Sequence, residues 1–206
     1  MTQLMECTAA SLEQAEVTLV ALHGRGGDAA DALSLAQAVA RGRPAALVAP
    51  QAPGYSWYPQ SFLAPTERNQ PFLGRALQQV AATVDDLLAR GVDSSRLVLL
   101  GFSQGACLAT EFLLRHPRRY GAVIAFTGGL IGDRLTDPRP LPELGGTPVL
   151  LTGGDPDPHV PWTRVEESAD LLRRCGAQVQ LQRFPGLPHT VSPAQLQLAQ
   201  SLISHI

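Results

Sequence analysis

The chain has 206 residues, 45% of them apolar and 17% charged, with a formal charge of −2; one well-filled core fits that length better than two. Near-neutrality and the lack of any basic run exclude the electrostatic footprint of a nucleic-acid or acidic-membrane binder, and the apolar stretches are too short to span a bilayer. Cys7, Cys107 and Cys175, an odd number without paired spacing, argue against a disulfide framework and for a reducing compartment.

The opening, MTQLMECTAA, has no basic segment followed by a long apolar one. No signal peptide is therefore expected, and a soluble, cytoplasmic protein is. Residues 3–7 are read as an edge strand. Nearly continuous apolar runs follow at 17–22, 45–49, 96–100, 122–126, 149–152 and 179–184, as parallel strands covered on both faces require. Helical patterns separate them. One is capped by Asp28 and runs towards Ala40, one spans about 75–90 and stops at Gly91, and one spans 162–174 and stops at Gly176. The last begins with Ser192 as cap, Pro193 in the first turn and Gln195 as reciprocal partner. Strand alternating with helix predicts a doubly wound α/β fold, a mostly parallel sheet with helices on both faces, forming one domain over 1–206. The two irregular stretches, 50–71 and 128–148, are long enough to suggest function.

The run at 96–100 breaks into Gly101-Phe102-Ser103-Gln104-Gly105 and continues as a helix. A serine between two glycines at a strand-to-helix turn is the pattern of a nucleophile elbow. The strained backbone at such a serine calls for neighbours without side chains. A serine hydroxyl needs a base, normally a histidine oriented by a carboxylate, in the chain order Ser, Asp or Glu, His. Four histidines follow Ser103. His116 reads as a helix C-terminal residue and His205 as a frayed terminus, whereas His189 sits between the last strand and the last helix, where the base belongs. For the carboxylate, spacing leaves Asp155 and Asp157 open. A metal site from Asp155, Asp157 and His159 matches known ligand spacings poorly, and no metal or other cofactor is expected.

Four segments, LHGRGGD (22–28), GFSQGA (101–106), DPHVP (157–161) and LPHT (187–190), resemble the carboxylesterase/phospholipase group of α/β-hydrolases, which includes acyl-protein thioesterases. The resemblance runs along nearly the whole chain and rests most on GFSQGA. It implies an α/β-hydrolase fold and a serine esterase acting through an acyl-enzyme. The family's acid stands three residues before the valine of a Val-Pro pair, which selects Asp157. The resemblance also assigns the oxyanion hole to the backbone N–H groups of Arg25 and Gln104, with His23 structural. Acyl-protein thioesterases tend to carry leucine at the place of Arg25. Its guanidinium therefore has two readings, selection of a polar or anionic substrate or a pairing with Asp28.

The loop APGYSWYPQSFLAP (52–65) concentrates aromatics, and Trp162 follows the acid loop. Trp57, Tyr58, Phe62 and Trp162 are therefore expected to wall an apolar substrate pocket. The lack of a long helical insertion predicts no large lid and an open cleft. The expected partner is a small carboxylic ester or thioester, with no nucleic acid and no membrane insertion; a homodimer is left open. Two alternatives remain at this point: a dienelactone-hydrolase-like or aryl-ester enzyme, the former expected to carry cysteine at 103, and a catalytically inactive ligand-binding α/β-hydrolase.

Overall fold

The computed structural model describes residues 4–8, 11–135 and 140–206. Seven strands form one sheet in the order β1-β3-β2-β4-β5-β6-β7. They are β1 (Leu4–Thr8), β2 (Val17–Leu22), β3 (Ala45–Pro50), β4 (Leu97–Phe102), β5 (Ala122–Phe126), β6 (Pro148–Asp155) and β7 (Gln178–Pro185). Only β1, at the edge against β3, is antiparallel; the rest are parallel. Of the edge strand expected over 3–7, residue 3 lies outside the described residues.

Alternation along the central strands sends their apolar side chains to both faces. Val20, Leu22, Leu97, Leu99, Val123 and Ala125 join one core, and Leu19, Ala21, Val98, Leu100, Ile124 and Phe126 the other. The first core is covered by α2 (Phe72–Ala89), α3 (Gln104–Arg115) and α4 (Trp162–Arg174), the second by α1 (Ala29–Val39) and α5 (Pro193–Ile203). Both expected caps are present as reciprocal capping boxes, Asp28 with Asp31 on α1 and Ser192 with Gln195 on α5. Helix α2 begins at Phe72 without a side-chain cap, earlier than its periodicity suggests.

One expectation is corrected at the other edge. Read as a buried apolar run, β7 pairs only with β6, and Gln178, Gln180, Gln182 and Arg183 are exposed. The alternation in QVQLQR is that of a half-solvated edge strand. The order of the sheet reverses between β2 and β4, so the crevice beyond their carboxyl ends is where a doubly wound fold admits a ligand. The segments HGR and FSQ both emerge there.

Candidate active site

Ser103 caps α3 with φ 53° and ψ −117°, a conformation that costs a residue with a side chain about 1–3 kcal/mol. The flanking glycines are neighbours without side chains, as read in the sequence, and neither adopts a positive φ. A Cβ at Gly101 would stand 2.3 Å from the Gly105 carbonyl, and one at Gly105 only 2.0 Å from the Leu22 carbonyl oxygen. They let α3 start directly against β4 and β2, and the strain falls on the serine alone.

His189 arrives from a loop that is held as tightly. A Cβ at Gly154, near the end of β6, would lie 2.0 Å from the Leu187 carbonyl oxygen, and Gly186 turns at φ 74°. Asp157 is pinned by the backbone N–H groups of His159 and Val160, both donating to Oδ1 at 2.8 and 2.9 Å. Its other oxygen, Oδ2, lies 2.8 Å from His189 Nδ1, and His189 Nε2 lies 2.9 Å from Ser103 Oγ. With Nδ1 protonated towards Asp157, Nε2 is left to accept from the serine hydroxyl. Burial pushes the Asp157 carboxyl up, yet the two N–H groups and the His189 ring together outweigh it and hold its pKa below the usual value. Asp155 turns away to pair with Arg183 at 3.3 Å. Among the described residues no cluster of three His, Cys, Asp or Glu is arranged to hold a metal. His116 sits at the opposite end of α3 from Ser103, roughly 18 Å away along the axis, and His205 bonds back to the Ser201 carbonyl.

Ser103, His189, Arg25 and Gln104 line one cavity of about 390 Å³ with Tyr58, Phe62 and Cys107. The backbone N–H groups of Arg25 and Gln104 have no protein acceptor among the described residues, and the latter opens α3, whose dipole favours negative charge. Burial, above all, pushes the Cys107 thiol up to about 12, so it is no rival nucleophile.

Two of the four expected pocket aromatics are placed elsewhere. Tyr58 and Phe62 line the cavity, but Trp57 is buried with its indole N–H on the His23 carbonyl at 2.9 Å. Trp162 is buried against Gly153 of β6. An indole N–H needs an acceptor when buried, and the His23 carbonyl draws the ring inward. His23 is structural, as expected. Its Nδ1 donates to the Gly24 carbonyl at 2.7 Å and its Nε2 accepts from the Ala52 N–H at 3.1 Å, while burial, the main effect, lowers its pKa and keeps it neutral.

The Arg25 side chain does not pair with Asp28. It donates to the Pro59 and Gln60 carbonyls at 2.9 and 2.7 Å and to Ser56 Oγ at 3.2 Å, clamping the aromatic loop; Asp28 is occupied as the cap of α1. The Gln104 side chain does the same from the other side, accepting from the Trp57 N–H at 2.9 Å and donating to the Tyr58 carbonyl at 2.8 Å. Neither role is visible in the spacing of motifs. His159 also lines the cavity, edge-on to His189 at 4.9 Å between ring centroids.

The sequence profile of the family described as Phospholipase/Carboxylesterase matches residues 5–206. A probable carboxylesterase of Oryza sativa subsp. japonica is 30% identical over 132 residues, 64% of this chain and 49% of its own length. Acyl-protein thioesterase 1 of Gibberella zeae is 29% identical over 115 residues, 55% of this chain and 49% of its own. The chain thus spans about half the length of these relatives. Among solved structures, a phospholipase/carboxylesterase from Dyadobacter fermentans superposes with a TM-score of 0.93 at 43% identity, covering 99% of this chain and 97% of that one. Esterase PE8 superposes at 0.84 with 29% identity, covering 100% and 99%.

Proposed function

The chain belongs to the phospholipase/carboxylesterase family of α/β-hydrolases, and from that premise we propose that it is a serine esterase, acting on small to medium carboxylic esters or thioesters through an acyl-enzyme. The observation that carries this reading is the continuous contact from Asp157 through His189 to the strained Ser103, at 2.8 and 2.9 Å. Ser103 Oγ attacks the carbonyl carbon while His189 Nε2 takes its proton. Asp157 holds the ring in the required tautomer and stabilises the imidazolium that forms. The N–H groups of Arg25 and Gln104 receive the oxyanion, a contribution of about 2.7–4 kcal/mol per donor in comparable sites. His189 then protonates the leaving oxygen or sulfur, and a water activated by the same nitrogen hydrolyses the acyl-enzyme.

No helix among the described residues is long and apolar enough to cross a membrane. The assay is hydrolysis of p-nitrophenyl acetate and butyrate with pre-steady-state detection of nitrophenol. A burst equal to the enzyme concentration, lost in Ser103→Ala, is expected wherever deacylation limits turnover. Undiminished turnover by Ser103→Ala would remove the reading.

A further inference from the structure

A second cavity, of about 340 Å³, adjoins the first. Its walls are mainly apolar: Leu22, Ala32, Leu35, Phe102 and Val191. The two cavities have one residue in common, His189, and Ser103 lines only the first. Gly24 lies on the wall of the second cavity, where a Cβ would come within 3.6 Å of Ser103 Cβ and 3.3 Å of the Phe102 ring. The one carboxylate in the wall, Asp31, accepts the Asp28 backbone N–H at 3.1 Å, and its charge disfavours an anionic occupant.

Resting on the esterase reading, we propose that this second cavity is the leaving-group subsite, taking the apolar, non-anionic alcohol or thiol half of the substrate, while the acyl half lies between Tyr58 and Phe62 in the first. The stereochemistry of acyl transfer carries the assignment. In the tetrahedral intermediate the new bond joins Ser103 Oγ to the acyl carbon, and the oxyanion faces the N–H groups of Arg25 and Gln104. The bond that breaks is the one to the leaving oxygen or sulfur. That atom must lie beside His189 Nε2, because the proton taken from Ser103 passes to it as the pair of bonding electrons leaves. Ser103, Arg25 and Gln104 border only the first cavity, whereas His189 borders both and the second holds neither donor. The half of the ester that receives the proton therefore extends into the second cavity, and burial of each methylene there favours longer alcohols.

The test separates the two halves of the substrate. In one ester series the acetyl group is fixed and the alcohol grows from ethyl to hexyl; in the other the alcohol is ethyl and the acyl chain grows from acetyl to hexanoyl. Leu35→Trp narrows the second cavity from the helix side and Val191→Phe from the loop side, while Phe62→Trp narrows the first. Ratios of kcat/KM within each series cancel the amount of folded enzyme. The hexyl-to-ethyl ratio is expected to fall about tenfold or more in Leu35→Trp and Val191→Phe with the hexanoyl-to-acetyl ratio held within twofold, and the reverse in Phe62→Trp. A hexyl-to-ethyl ratio unmoved by both variants, or an acyl-length ratio that moves instead, would overturn the assignment while leaving the esterase reading intact. Failure of the unmodified enzyme to hydrolyse any ester of either series would overturn both.

Discussion

The two walls of the cleft are built by different means. The acid–histidine wall, residues 153–160 and 186–191, is fixed by close approach of backbone to backbone. The space between Gly154 and Leu187 is smaller than a methyl group, and Asp157 is held by two N–H groups of its own turn. The aromatic wall, residues 51–62, is instead hung on side chains from elsewhere: His23 to Ala52, Gln104 to Trp57 and Tyr58, Arg25 to Pro59 and Gln60, and Asn69 to Gln60 and Ser61. Close packing resists displacement steeply, as a proton-transfer geometry needs. Polar pins share the load and fail one at a time. Damage to the first wall should therefore appear in kcat, and damage to the second mainly in KM and stability.

The largest effect that would sharpen this contrast is expected from Asp157→Asn. It keeps the shape of the turn but removes the charge that orients and stabilises the imidazolium, so kcat should fall about 10³–10⁴-fold with KM little changed. A loss smaller than tenfold would break the link between that wall and the chemistry. Gly154→Ala should come next. Its methyl group must push the Leu187 carbonyl away and carry His189 with it, and a shift near 1 Å costs on the order of 100-fold in rate. Steady-state kinetics that show only a raised KM would contradict this.

On the aromatic wall the effects should be smaller and of another kind. Gln104→Ala leaves the Trp57 N–H buried without a partner and takes one of two donors from the Tyr58 carbonyl, which keeps Ser56 Oγ at 3.0 Å. About 1–3 kcal/mol of stability should be lost in urea unfolding, together with a raised KM, while the Gln104 backbone N–H remains in place. The exposed clamp of Arg25 should matter less, about 0.5–1.5 kcal/mol in Arg25→Ala. Equal losses of kcat from these two variants and from Gly154→Ala would erase the distinction between the walls.

The smallest effect is a pH dependence. The Asp157 carboxyl binds its proton more weakly folded than unfolded. Its contribution to stability is thus complete above its unfolded pKa and is lost as pH falls through its lowered folded value. Denaturation between about pH 5 and pH 2 should show a shallower decline in Asp157→Asn than in the unmodified protein. A steeper decline would reverse the sign of the argument.

The contrast between the walls also marks what the sequence could disclose. Ser103 and His189 were legible because chemistry fixes their residue types and the topology of the sheet fixes their order, whereas that order leaves Asp155 and Asp157 open and only the family resemblance selects Asp157. The polar pins were not legible, since Arg25 and Gln104 reach partners 34 to 47 residues away through backbone groups that carry no residue-specific signal. The tryptophans misled for a related reason. A cluster of aromatics in a loop does not say which rings face a cavity, and the turn of Trp57 towards the His23 carbonyl depends on a contact 34 residues distant. The edge position of β7 is written in the period of its alternating glutamines, which the apolar content of the run masks.

Covalent labelling of the native protein with a fluorophosphonate, followed by peptide mapping, tests most directly whether Ser103 is activated by His189. A single adduct on Ser103 is expected, forming at least about 1,000-fold more slowly in His189→Ala. An adduct on any other residue, or an unchanged labelling rate in that variant, would contradict it.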